Sequence, residues 1–323
     1  MLPVLASYPA GAAERDAWII ARRGSRSVVD PLRPYNFFVE SERSASGEIV
    51  PSAAVFLSNR ECPWRCVMCD LWRNTLTEPV PQGVIPEQIR YALGRLSGAR
   101  EIKLYNSGSF FDKGAIPTED HAAVASLVVG FERVIVECHP ALVNERCLEF
   151  KDRLEGRLEV AIGLETAHSE TLAKLNKRMT LDQFERAAKY LRAHDIDLRV
   201  FILVRPPFMR EQDAEEWAVR SLEFAFSCGA TAASLIPTRG GNGAMEELAA
   251  AGEFSPPDLA MLENATERGI ALNRGRVFAD LWTVDNCRSC GSCREARSAR
   301  LRMMNLEQAI PSRVACAQCG AEG

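Results

Sequence analysis

Three cysteines fall within eight residues, Cys62, Cys66 and Cys69, in the string Asn59-Arg-Glu-Cys-Pro-Trp-Arg-Cys-Val-Met-Cys-Asp70. Thiolates at this spacing, just after an apolar run, can hold one metal centre between them. The odd count bears on what that centre does. A structural zinc ion is closed by four protein ligands, whereas a reactive centre keeps a position open. Three cysteines on a four-iron cluster leave one iron without a protein ligand, free to bind a further group. A zinc knuckle with a distant fourth ligand is the alternative, but knuckles pair cysteines as Cys-x2-Cys, and the Cys62 to Cys66 gap breaks that pattern.

A second set of cysteines lies near residue 323. Cys287-x2-Cys290-Gly and Cys316-x2-Cys319-Gly read as two knuckles of a zinc ribbon, with Cys293 left over. A second iron–sulfur cluster, to which Cys287, Cys290 and Cys293 contribute, is the competing assignment. Cys138, Cys147 and Cys228 read as core thiols.

The elements that must position these groups alternate in type. Apolar β-branched runs at 53–57, 101–105, 133–138, 158–164, 198–204 and 232–236 read as strands, separated by amphipathic stretches. The clearest helix covers 181–194, opening with a capping box at Thr180 and Gln183 and placing Phe184, Ala187, Ala188 and Leu191 on one face. Six strands with helical crossovers predict an α/β fold with a parallel sheet, a partial (βα)6 TIM-like barrel rather than a closed one of eight. Chemistry in such sheets sits in the loops after the strands, and the first cysteine loop follows the first strand. Residues 1–50 read as an N-terminal extension, 51–282 as the barrel and 283–323 as a small cysteine-rich metal module.

The strand ends supply candidate partners for a bound ligand. Asn106, Ser107 and Gly108 follow the second strand. Glu137 ends the third, a carboxylate at the close of an apolar run, with His139 two residues on as a general base or a satisfied turn histidine. Glu165 and Thr166 end the fourth strand, Lys177 and Arg178 follow in the next loop, and Arg205 leaves the fifth before two prolines.

Composition is that of a folded soluble chain, 47% hydrophobic and 25% charged. No stretch approaches the roughly 20 apolar residues of a membrane helix, and residues 1–8 lack a signal-peptide pattern. Eleven cysteines without a secretion signal point to metal binding in the cytoplasm rather than to disulfides. A net charge of −4 gives no global sign of nucleic-acid binding, although residues 287–323 carry six Arg against three Glu and are locally basic.

The cysteine triplet is the signature spacing of radical S-adenosylmethionine (SAM) enzymes, and the chain resembles that superfamily. The segments Tyr105-Asn-Ser-Gly-Ser-Phe-Phe-Asp112, Val136-Glu-Cys-His-Pro140, Ala161-Ile-Gly-Leu-Glu-Thr166, Val204-Arg-Pro-Pro-Phe208 and Leu235-Ile-Pro-Thr238 carry the likeness further. They resemble the radical-SAM subunit of archaeosine synthase and its relatives over about residues 50–265. More distantly they are similar to the elongator catalytic subunit and the tRNA methylthiotransferases. Two departures stand out: Met68 precedes the third cysteine where an aromatic residue is usual, and residues 105–109 lack the usual Gly-Gly-Glu element. The resemblance implies a 4Fe-4S cluster on Cys62, Cys66 and Cys69. It also implies SAM held by Met68, Asn106, Ser107, Gly108, Glu137, Glu165, Thr166, Arg178 and Arg205, and a deoxyadenosyl radical acting on a tRNA nucleoside. A low-potential ferredoxin or flavodoxin-type donor, tRNA and a partner subunit are the implied partners. Two rival readings remain: a radical-SAM enzyme for a peptide or small metabolite with an auxiliary cluster, and a non-catalytic metal protein that binds RNA.

Overall fold

The strand-forming runs of this chain are apolar at successive positions, so they can be buried on both faces only if layers cover both sides of the sheet. The computed structural model describes residues 8–319 and shows that arrangement. Eight strands form one sheet in chain order, β1 (Asn36–Arg43), β2 (Ile49–Phe56), β3 (Glu101–Tyr105), β4 (Arg133–Glu137), β5 (Arg157–Glu165), β6 (Asp197–Val204), β7 (Ala232–Pro237) and β8 (Arg276–Ala279). The hairpin β1–β2 is antiparallel, and β2 to β8 run parallel. The six strands expected from the apolar runs all form. The structure adds β1 and β8 at the two edges. The helices are α1 (Ala12–Ile20), α2 (Val84–Leu93), α3 (His121–Leu127), α4 (Glu145–Lys151), α5 (Ser169–Lys174), α6 (Leu181–Ala193), α7 (Glu211–Ser227), α8 (Ala244–Ala250), α9 (Leu259–Ala271) and α10 (Arg294–Glu307). The capping box of α6 is present, with Thr180 and Gln183 exchanging side-chain and backbone bonds.

The curled sheet has two unlike faces. Val55, Leu104, Val136, Val160, Val200 and Leu235 point outward into the main apolar core under the helices. Inward the strands present two layers. Ala54, Phe56, Tyr105, Ile135 and Ala161 form an apolar belt with Phe38 and Phe201 packed against it. Below it, toward the N-terminal ends of the strands, lies a floor of buried charge. Arg199 binds Glu159 at 2.5 Å and Glu42 at 2.6 Å, Lys103 pairs with Glu40 at 2.6 Å and with Glu42, and Arg133 reaches Glu159 at 3.1 Å and also Asp197. Pairing lets these charges leave water, and it gives the barrel interior a polar end.

Helix α10 closes the gap between the sheet edges. Asn305 accepts the Ala279 N–H and donates to the Ala279 carbonyl, both at 2.8 Å, while Gln308 does the same to Val277 at 2.7 and 2.9 Å. Two side-chain amides thereby replace the ladder partner that the outer edge of β8 lacks. On the opposite edge, Arg43 of β1 donates to the Leu306 carbonyl, and Arg276 donates across the gap to the Arg43 carbonyl at 3.0 Å. No helix among the described residues is long and apolar enough to cross a membrane.

Candidate active site and second metal centre

The loop after β2 carries the cysteine triplet over the C-terminal ends of the strands, and most of its anchors come from distant parts of the chain. Buried Asn242 donates through Nδ2 to the carbonyls of Val67 (2.8 Å) and Cys69 (3.1 Å) and accepts the Met245 N–H (2.8 Å). Asn176 donates to the Arg65 carbonyl at 2.7 Å and to Asp16 of α1 at 2.8 Å. The Val67 N–H donates to the Leu175 carbonyl. Glu61, beside Cys62, gathers Arg23 (2.6 Å), Arg65 (3.1 Å) and Arg26. Arg23 and Arg26 are thus internal ties. Trp64, between the first two cysteines, stacks on His139 at 3.7 Å with 14° between planes.

His139 is the satisfied turn histidine, not a base. Nδ1 accepts from the Ala141 N–H, which places the proton on Nε2, donated to the Lys177 carbonyl at 3.0 Å. Burial, then the nearby Lys177 ammonium, push its pKa down to about 3, so the ring is neutral.

Below the triplet a cavity of about 810 Å3 extends down the barrel interior. Its upper wall holds Met68, Ser107, Gly108, Glu137, Glu165 and Lys177 with the three cysteines. Glu137 Oε2 accepts the N–H groups of Asn106 (2.8 Å) and Ser107 (3.0 Å). Burial raises its pKa to about 7 against the pull of those amides and of Lys177. Lys177 pairs with Glu165 at 2.6 Å. Gly163 leaves room for that pair, since an added Cβ would push both charged ends aside. Asp70, directly after the third cysteine, forms a two-pronged bridge with Arg239 at 2.8 and 2.9 Å. Ser107 and Glu165 hold left-handed backbone, φ 54° and 67°, strain of the kind that gathers at binding sites.

Three of the expected cofactor contacts are engaged elsewhere, and a fourth, Asn106, is buried with both polar side-chain atoms unpartnered. Arg178 turns away to Asp16 (2.7 Å) and the Ala12 carbonyl (2.8 Å), because α1 sets a carboxylate beside it. Arg205 is captured by Glu211 at 2.9 Å and the Pro256 carbonyl at 3.2 Å. Thr166 is buried and accepts the His168 N–H, making a local turn. The Asn106 side chain is wholly buried, and only its backbone serves the Glu137 arrangement. Asn176, Asn242, Trp64 and Arg239 are positioning residues that the sequence did not announce, each far in the chain from what it touches or ordinary in type.

The triplet fits an iron–sulfur cluster. Burial raises all three thiols to about 12, so the charge of a bound metal is what holds them as thiolates. Gly108 lets the β3 loop pass close to Cys62, where an added Cβ would stand 3.3 Å from the Cys62 Cβ. Among the described residues, the thiols that all lie within 4.8 Å of one another are a different set, Cys290, Cys293, Cys316 and Cys319.

That second set corrects the expected zinc-ribbon ligands. Cys293 takes the place assigned to Cys287, which is 2% exposed and packs into the main core. The Cys287 thiol is spent on packing because the bridge Asp258 to Arg288 fixes the chain there against the start of α9. Cys290 and Cys316 stand 4.0 Å apart, and Cys293 and Cys319 3.8 Å. The backbone N–H groups of Cys319 and Gln318, pointing at Cys316, lower its thiol to about 7.

A sequence profile of the radical SAM superfamily matches residues 57–218, half of the chain. Among curated relatives, the chain is 25% identical over 226 residues to archaeosine synthase subunit beta of Methanosarcina acetivorans, covering 66% of this chain and 65% of that one. It is 25% identical over 166 residues to archaeosine synthase subunit beta of Thermococcus kodakarensis, covering 49% of this chain and 51% of that protein. Among solved structures, Elp3 of Methanocaldococcus infernus superposes with a TM-score of 0.47 at 13% identity, over 60% of this chain and 51% of that one. Methylornithine synthase gives 0.44 at 14% identity, over 79% and 81%. With the cysteine triplet on the loop after the first parallel strand of a partial barrel, and the profile match across it, the chain belongs to the radical SAM superfamily of enzymes, which use a 4Fe-4S cluster and SAM.

Proposed function

We propose that this enzyme modifies a nucleoside of tRNA in the cytoplasm, working with a low-potential electron donor and a partner subunit. The observation that carries the reading is the likeness to two archaeosine synthase beta subunits, over 66% and 49% of this chain. The chain spans 65% and 51% of those relatives, so their partners and substrates enter here as part of the proposal.

In this reading Cys62, Cys66 and Cys69 hold three irons, and SAM lies in the upper cavity. When bound, cluster and SAM together supply a deoxyadenosyl radical by one-electron cleavage of the sulfonium. The residues of the chain bind, orient and exclude water. The Glu137 carboxylate and the Glu165–Lys177 pair would hold the amino and carboxylate groups of SAM, Met68 would pack against its apolar part, and the backbone at Ser107 and Gly108 would allow its approach. The Phe56, Tyr105 and Phe201 rings form an apolar wall beneath, which keeps the radical from water.

The second centre is assigned a single zinc ion. Tetrahedral Zn–S bonds of about 2.3 Å put sulfur atoms roughly 3.8 Å apart, close to the 3.8 and 4.0 Å pairs seen here. The ion ties the chain before α10 to the chain after it, and so supports the helix that closes the barrel. Comparison of tRNA nucleosides by mass spectrometry, in cells with and without this protein, tests the function. One modified nucleoside is expected to vanish or be replaced by its precursor, and identical profiles would count against the reading.

A further inference from the structure

The locally basic segment 287–323 is not a basic surface. Arg288 is held by Glu211, Arg294 lies 3.7 Å from Asp285, Arg297 2.6 Å from Glu263, Arg300 2.7 Å from Glu267, and Arg313 2.7 Å from Glu267. The exception is Arg302. It lies exposed on α10, lines the barrel cavity, and makes no hydrogen bond or ion pair among the described residues. The other cations lining that cavity, including Arg23, Lys103, Lys177, Arg199 and Arg239, are each matched by a carboxylate. Arg302 is thus the cavity cation left free for an incoming anion.

A second residue lining the same cavity is equally unusual. Trp282 is 50% exposed, in a chain that buries most of its large apolar side chains. Edge contacts to Phe56 (5.1 Å) and Phe38 (5.3 Å) and a 3.4 Å bond from Nε1 to Glu40 fix the indole in place. Beside it Asp280 offers a carboxyl whose Oδ1 accepts the Trp282 N–H at 2.8 Å, leaving its other oxygen for a ligand. A free guanidinium, a fixed half-exposed indole and a hydrogen-bonding carboxyl at the mouth of one cavity match the three parts of a nucleotide: phosphate, base face and base edge.

We propose that Arg302 and Trp282 determine substrate specificity by holding one RNA nucleotide at the cavity mouth, its phosphate on the Arg302 guanidinium and its base against the Trp282 indole. The proposal rests on the tRNA reading above and deepens it. Helix α10 sets the position of Arg302, held at its C-terminal end by the Asn305 and Gln308 clamps on β8 and preceded by the four-thiol centre.

The test uses anaerobically reconstituted full-length enzyme and bulk tRNA as the probe, with affinity measured from 50 to 300 mM salt. Arg302→Ala is expected to weaken binding about tenfold and reduce the slope of log affinity against log salt by about 0.7–0.9, one phosphate contact. Trp282→Ala is expected to weaken binding at least fivefold with the slope unchanged, as loss of a stacking platform does, and Trp282→Phe to recover much of it. Iron content and thermal midpoint report that each variant is folded, and Arg302→Gln repeats the charge test should the alanine variant be damaged. Wild-type affinity and slope in either the arginine or the tryptophan variants overturn the proposal while leaving the tRNA reading intact. Failure of the wild-type enzyme to bind tRNA overturns both.

Discussion

Replacing Glu137 by glutamine separates what this carboxylate costs the fold from what it gives the site. The glutamine amide oxygen can still accept the N–H groups of Asn106 and Ser107, so the main change is loss of a buried charge. Burial has raised the Glu137 pKa from 4.5 to about 7. Between those values the folded chain binds a proton that the unfolded chain releases. The contribution of this group to stability is therefore greatest below pH 4.5 and is lost as pH rises through 7. A shift of this size corresponds to roughly 3 kcal/mol. Cofactor-free Glu137→Gln protein should accordingly gain on wild type as pH rises. The difference between the two in urea unfolding free energy should grow by about 2–3 kcal/mol from pH 5 to pH 8.5, with most of the change below pH 7.5. The cysteines and other titrating groups are common to both proteins and cancel. The same variant should bind SAM more weakly at pH 8, having lost the anion proposed to hold the methionine amino group. A difference that stays flat across the pH range would show that the carboxylate is not desolvated, and would remove the argument for its role.

Three further perturbations probe the supports of the two metal centres and the barrel. Asn242→Ala removes a buried amide that holds the carbonyls of Val67 and Cys69, and should cost about 2–4 kcal/mol while lowering iron retained after reconstitution; unchanged iron content and unfolding midpoint would show that the amide does not position the loop. Cys316→Ser should abolish binding of the second metal, whereas Cys287→Ser should keep it, as read by zinc and iron analysis of the purified proteins; loss of metal in both would restore Cys287 as a ligand. Gln308→Ala strips the buried edge of β8 of a donor and an acceptor, and should cost about 1–3 kcal/mol with faster hydrogen exchange at the Val277 amide, the amide staying protected if some other group covers that edge.

The parallel core was readable because burial on both faces forces continuous apolar runs, and β2 to β7 each show one. The edge strands were not. In β1 the sequence Asn36-Phe-Phe-Val-Glu-Ser-Glu-Arg43 mixes polar residues with apolar ones because Glu40 and Glu42 turn inward to Lys103 and Arg199, an interior that only a charged barrel floor explains. Strand β8 has four residues, too few for a period to show. The cysteine triplet was legible because three metal ligands must be local to share one centre. Its supports were hidden because an asparagine that braces a loop from 175 residues away looks like any other asparagine. Arg205 was placed at the site by its position just past a strand end and Arg178 by the loop that follows, but Asp16 and Glu211 pair them first. In the second centre the pattern of two Cys-x2-Cys knuckles was right in kind, and the first knuckle was placed one cysteine too early. Cys287–Cys290 and Cys290–Cys293 have the same spacing, and only the fold chooses between them, by packing Cys287 into the main core and turning Cys293 toward Cys319.

The central claim is that Cys62, Cys66 and Cys69 together hold a cluster that cleaves SAM. The direct measurement is deoxyadenosine formed from SAM by anaerobically reconstituted enzyme given a strong one-electron reductant, beside the Cys66→Ala variant. Deoxyadenosine and methionine are expected in equal amounts from the wild-type enzyme and none from the variant. No deoxyadenosine from wild-type enzyme carrying its full iron, or undiminished cleavage by the variant, would contradict it.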